Sequence, residues 1–173
     1  GNLDESCDLI LINHQSMLDI IVMEHLHSRN IAWVAKKEIT DLFFFGHIIK
    51  APRMISIDRE NKAGLIHLLS EAKDRLSKGR PIAMFPEGTR SKDGTPKSFK
   101  ESGLKVLAKY AKNAYIVPVT LNNTWRITEW GKFPLQLGSK VTIHYHEPLK
   151  VSDYKFDELF ALTEQTVKSK INN

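Results

Sequence analysis

Apolar residues along the chain fall into short unbroken runs that alternate with longer stretches of helical spacing. Leu9-Ile10-Leu11-Ile12 sits between Asp8 and Asn13, and a continuous apolar run of that length predicts a strand buried on both faces. A helix is expected from Ser16 to about His27. Ala32-Trp33-Val34-Ala35 and Met54-Ile55-Ser56-Ile57 predict two more strands. Thr40 to Ile49 is apolar nearly all round and predicts a further helix. Asn61 to Lys78 is the clearest amphipathic helix, with Leu65, Ile66, Leu69, Ala72 and Leu76 assigned to one face and Gly79 closing it. Beyond it come a strand at Pro81 to Phe85 and a turn at Lys92-Asp93-Gly94-Thr95. A helix at Glu101 to Asn113 and a strand at Tyr115 to Leu121 that carries Pro118 follow. A half-exposed strand at Lys140 to Tyr145 and a terminal helix at Phe156 to Ile171 complete the pattern. Strands alternating with helices imply an α/β sandwich with a largely parallel sheet. No repeat or linker divides residues 1–173, so one domain is expected.

Composition narrows the class. Hydrophobic residues make up 42% and charged residues 26% of the 173 positions, which is the balance of a folded domain. The net charge of +5 favours anionic partners: phosphates, anionic lipid headgroups or nucleic acid. Cys7 is the single cysteine, which excludes a disulfide framework and a cysteine-based metal site. The longest uncharged apolar stretch, Leu42 to Ile49, falls well short of the roughly 20 residues of a spanning helix. No signal peptide is visible, and the sequence opens almost directly into a strand without an initiator Met. A further N-terminal segment is therefore expected outside it.

Two places carry chemistry. His14 follows the first predicted strand in the polar turn Asn13-His14-Gln15-Ser16, and Asp19 lies five residues on in the first turn of the next helix. In that geometry Asp19 can hold one ring nitrogen and leave the other to accept a hydroxyl proton. Spacing alone favours a structural role, because seven histidines and nine aspartates in 173 residues give about 0.4 chance matches. Ser16 and Asp19 also have the spacing of a capping box. The second place is Phe85-Pro86-Glu87-Gly88-Thr89-Arg90, directly after a strand. Gly88 permits close backbone approach to a ligand. Arg90 offers a planar fork suited to phosphate oxygens, and Glu87 is placed to orient a nearby cation.

Taken together, the blocks resemble the 1-acylglycerol-3-phosphate acyltransferase family. Asn13-His14-Gln15-Ser16-Met17-Leu18-Asp19 is similar to the family's His-x4-Asp block, and Phe85 to Arg90 matches its Phe-Pro-Glu-Gly-Thr-Arg block without a mismatch. Ala35-Lys36-Lys37-Glu38-Ile39, Ile57-Asp58-Arg59 and Val117-Pro118-Val119 agree with further blocks in order and spacing. The resemblance implies a glycerolipid acyltransferase-like fold and transfer of a fatty acyl group from an acyl thioester to a lysophospholipid. The donor would be acyl-coenzyme A or acyl-carrier protein, with no cofactor or metal. The expected acceptor is 1-acylglycerol 3-phosphate, and the product phosphatidate. His14 would be the general base and Asp19 its partner. Arg90, Arg59 and Lys36 or Lys37 would bind the acceptor phosphate, with Glu87, Gly88 and Thr89 shaping that pocket. The resemblance also implies work at a membrane surface, on its cytoplasmic face. One block departs: Phe99-Lys100-Glu101-Ser102-Gly103 has one residue more than the family's Phe-Lys-x-Gly, so no role is carried onto Lys100.

Other readings carry less. Glycerol 3-phosphate or another lysophospholipid is the nearest alternative acceptor. A serine hydrolase using Ser16 or Ser6 lacks any Gly-x-Ser-x-Gly elbow, and no nucleic-acid-binding motif is present. Phe43-Phe44-Phe45 reads as core helix ahead of membrane contact. His144 and His146 read as solvated strand residues, since no third metal ligand accompanies them. Lys105, Lys109 and Lys112 read as a solvated helix face. Trp125 and Trp130, flanking Arg126, fit either core packing or a membrane interface.

Overall fold

The first strand, β1 (Leu9–Ile12), is at most 1% exposed at every residue, because its neighbours on both sides are strands and both its faces are covered. The computed structural model describes residues 8–27, 30–36, 54–57, 62–129, 135–136 and 138–172, with the backbone alone for Lys36. Helix α1 (Leu18–Leu26) follows β1, then β2 (Ala32–Lys36) and β3 (Met54–Ile57). Helix α2 (Lys62–Ser77), β4 (Ile82–Met84), α3 (Glu101–Tyr110) and β5 (Tyr115–Asn122) come next. A short helix α4 (Thr124–Ile127), β6 (Thr142–Tyr145), β7 (Leu149–Lys150) and α5 (Phe156–Lys168) complete the described chain. The expected helix at Thr40 to Ile49, with Phe43 to Phe45, lies outside the described residues, as does Trp130.

The sheet runs β3-β2-β4-β1-β5-β6, with β7 also paired to β5. Strands β1 to β5 are all parallel, while β6 and β7 run antiparallel on the β5 edge. This is the expected α/β architecture with a largely parallel sheet. Pro118, an unusual residue for an inner strand, sits where the neighbouring edge breaks between β6 and β7. Its carbonyl takes the His146 N–H at 3.0 Å just past the end of β6.

Side-chain alternation divides the core between the two sheet faces. Leu9, Leu11, Val34, Ile55, Ile82 and Met84 pack under α2, α3 and α5 through Leu68, Ala72, Leu104, Leu107 and Leu159. Ile10, Ile12, Trp33, Ala83, Phe85, Val117 and Val119 pack under α1 through Ile20 and Met23. The α2 face differs from the one expected. Gly64, Leu68 and Ala72 are its buried residues and Ile66 is 61% exposed, because the helix lies against α3 as well as the sheet and turns the 64-68-72 row inward. His144 is exposed on β6. His146 Nε2 lies 2.8 Å from Thr120 Oγ1, whose hydroxyl donates to the Val167 carbonyl at 2.6 Å. That pair ties α5 to the sheet. No group of metal-ligating side chains occurs among the described residues.

Because β1, β2, β3 and β4 are parallel, the chain leaves all four at one edge. His14 follows β1, Lys36 closes β2, and the Phe85 to Arg90 loop follows β4. Arg59 is two residues past the end of β3 in sequence. Residues beyond the carboxyl ends of parallel strands are where ligands bind in such sheets.

Candidate active site

Asp19 is fully buried, and a single carboxylate oxygen organises the turn after β1. Its Oδ2 accepts from His14 Nδ1 at 2.8 Å, from the Gln15 N–H at 2.8 Å and from the Ser16 N–H at 2.9 Å. A carboxylate only accepts, so Nδ1 carries a proton and, in the neutral ring, Nε2 is the nitrogen with the lone pair. Nε2 has no partner among the described residues, and the His14 side chain is 14% exposed. The structural and chemical readings of Asp19 therefore coexist. It reaches back to Ser16 as a capping box requires, yet the helix N-cap is Met17, and Ser16 Oγ accepts instead from the Leu18 N–H at 3.2 Å. The carboxylate that closes the turn also orients the imidazole.

The Phe85 to Ser91 loop grips His14 from the other side. Glu87 Oε1 accepts the His14 N–H at 3.0 Å, and the His14 carbonyl accepts the Ser91 N–H at 2.7 Å. The Phe85 ring stacks on the imidazole with centroids 3.9 Å apart and planes 14° from parallel. Behind it lies Trp33, at 5.4 Å and 19°, whose indole N–H donates to Glu24 Oε1 at 2.8 Å. Gly88 has φ +73, a backbone conformation that side-chain-bearing residues adopt at a cost, and its N–H closes a turn onto the Phe85 carbonyl at 3.1 Å. Past that turn Thr89 and Arg90 are exposed.

Glu87 lies beneath the loop rather than at its exposed tip. It is 2% exposed and spends both oxygens on backbone, the second on the Lys97 N–H at 3.2 Å. It is a tie between the two blocks and the loop that follows. Burial pushes its carboxyl above the ordinary glutamate value of 4.5; the two N–H donors and the charges of Lys168 and Lys97 oppose that only in part. A raised folded-state value means the folded protein binds this proton more readily than the unfolded chain does. Glu87's contribution to stability is therefore fullest below pH 4.5 and falls as pH rises through the raised value. Glu87→Gln should lose one of the two N–H bonds, costing about 1–3 kcal/mol. The stability gap between native protein and variant should shrink from pH 4 toward neutrality, as read by denaturant melts. A gap that widens over that range would contradict the assignment.

Asn13 and Gln15 were not among the expected site residues, yet both build the turn. Asn13 extends the β1–β5 pairing with its amide, donating to the Leu121 carbonyl at 2.9 Å and accepting the Leu121 N–H at 2.7 Å. Gln15 Oε1 accepts from Thr124 Oγ1 at 3.4 Å, and Ser16 Oγ lies 3.2 Å from Thr128 Oγ1. The polar run Asn13-His14-Gln15-Ser16 straight after a buried strand was their only sequence signal. Of the expected phosphate ligands, Thr89 and Arg90 stand at the loop tip and Lys36 at the end of β2. Lys37 and Arg59 lie outside the described residues.

An imidazole fixed by a buried carboxylate, with its far nitrogen open at the carboxyl edge of a parallel sheet, is an arrangement that can take a proton from a hydroxyl. The family model described as Acyltransferase matches residues 4–122, and the chain belongs to that family. The 1-acyl-sn-glycerol-3-phosphate acyltransferase of Helicobacter pylori is 42% identical over 127 residues, covering 73% of this chain and 53% of that one. A lyso-ornithine lipid O-acyltransferase of Brucella abortus is 33% identical over 101 residues, covering 58% of this chain and 37% of that one. The crystal structure of the 1-acyl-sn-glycerophosphate acyltransferase PlsC from Thermotoga maritima superposes with a TM-score of 0.74 at 25% identity, over 98% of this chain and 66% of that one. The chain spans about half the length of the H. pylori relative.

Proposed function

We propose that this chain transfers a fatty acyl group from an acyl thioester to the free hydroxyl of 1-acylglycerol 3-phosphate, forming phosphatidate. The observation that carries the reading is His14 Nε2, open at the sheet edge while Asp19 holds Nδ1 at 2.8 Å, in a chain related to proteins named for this reaction. His14 accepts the hydroxyl proton at Nε2 as the oxygen attacks the thioester carbonyl. Asp19 balances the imidazolium. The tetrahedral adduct expels the thiolate, the C–S bond breaks, and the proton passes from Nε2 to sulfur. The donor is acyl-coenzyme A or acyl-carrier protein, and no further cofactor enters. Thioester release with a panel of acceptors tests this. Release is expected with 1-acylglycerol 3-phosphate, and release only with glycerol 3-phosphate or a phosphate-free lysolipid would overturn it. The second reading, another lysolipid as acceptor, is favoured by the Brucella relative.

In this reading Arg90, with Arg59 and Lys36 or Lys37, binds the acceptor phosphate from the ends of separate strands. The Arg90 backbone is steadied by Lys97, whose ammonium donates to the Arg90 carbonyl at 2.9 Å, while its exposed side chain remains for the substrate. Arg90→Ala should chiefly raise the acceptor KM and leave the donor KM nearly unchanged. Arg90→Lys should rescue in part, because an ammonium cannot bind phosphate in a bidentate way. A rise in donor KM alone would move the arginine to the thioester carrier.

The proposed acceptor is a lipid, which supports action at a membrane surface; the cytoplasmic face is what the family resemblance implies. The net charge of +5 supports attraction to anionic headgroups. No helix among the described residues is long and apolar enough to cross a membrane. Vesicle sedimentation should show weak binding to anionic lipid that salt releases; salt-resistant binding would point to an apolar anchor instead.

A further inference from the structure

We infer that Phe85 is a positioning residue for proton transfer, favouring the charged form of His14 through the face of its ring; this rests on the reading of His14 as the base. The stack is built by three adjacent strands. β4 lies between β1 and β2, and Trp33 is paired with Ala83, two residues before Phe85. Phe85 is 7% and Trp33 1% exposed, so water does not screen the contact with the imidazole 3.9 Å away.

The two partners of His14 act along perpendicular directions. Asp19 meets the ring edge in plane at Nδ1, and Phe85 covers a face. A neutral imidazole becomes a cation when Nε2 takes the hydroxyl proton, and an aromatic face carries the negative lobe of its quadrupole. That attraction grows only as the proton arrives, so it lowers the barrier without tightening substrate binding. Trp33 backs Phe85 at 5.4 Å, and its N–H donates to the Glu24 carboxylate, which enriches the indole in electrons. An aliphatic side chain of equal size would hold the imidazole in place and supply none of this.

Phe85→Leu alone would mix packing with electrostatics, so the deciding series keeps the ring. Mono-, di- and trifluorophenylalanine at position 85 drain the π face in steps while nearly conserving size. Single-turnover transfer from oleoyl-coenzyme A to 1-oleoylglycerol 3-phosphate, at saturating substrate, should slow progressively along the series. About two- to thirtyfold is expected at the trifluoro variant, with both KM values and the thermal midpoint unchanged. A constant rate across the series, with His14→Ala inactive, overturns the inference and leaves the base assignment standing. A fully active His14→Ala overturns both.

Discussion

His14→Ala should lower turnover by about 10²- to 10⁴-fold, the usual cost of removing a general base, while the protein remains folded. The fold is expected to survive because the backbone bonds of the turn do not depend on the ring. The His14 backbone is gripped by Glu87 and Ser91, and those bonds, at 3.0 and 2.7 Å, do not involve the ring. Alanine also removes one of the three donors on Asp19 Oδ2, and the Gln15 and Ser16 N–H groups remain. Steady-state rates beside a thermal melt decide the matter. Near-normal turnover in a folded variant would end the mechanism.

Asp19 should separate charge from architecture. In Asp19→Asn the amide oxygen can replace Oδ2 and accept the same three donors, so the turn and the Nδ1–H tautomer persist. The amide nitrogen then takes the place of Oδ1, which is buried and has no partner, so one unsatisfied atom replaces another. What disappears is the negative charge that balances the imidazolium, and turnover should fall by about 10²-fold or more with a small change in melting. Asp19→Ala should instead strand the His14 Nδ1–H and two backbone N–H groups, destabilising by about 2–4 kcal/mol, and lose activity as well. Equal activity in the asparagine variant and the native protein would confine Asp19 to a capping role.

Much of this was legible in the chain itself. A short apolar run such as Leu9 to Ile12 pointed to a strand covered on both faces, and its alternation with helical segments implied the parallel sheet. The His-x4-Asp and Phe85 to Arg90 blocks marked the candidate site through the family resemblance, and the His14–Asp19 contact at 2.8 Å is made within one turn because the two residues lie close in sequence. Sequence reading was weaker where the partner is distant. The α2 face was misassigned at Ile66, because which row turns inward depends on where α3 lies. The backbone partners of Glu87, the His14 and Lys97 N–H groups 73 and 10 residues away, were not legible in the sequence. The His14–Phe85–Trp33 stack joins residues from three strands whose adjacency follows from the order β2-β4-β1. Short sequence blocks thus marked the candidate residues. Strand order, a property of long-range pairing that no short window contains, decided what surrounds them.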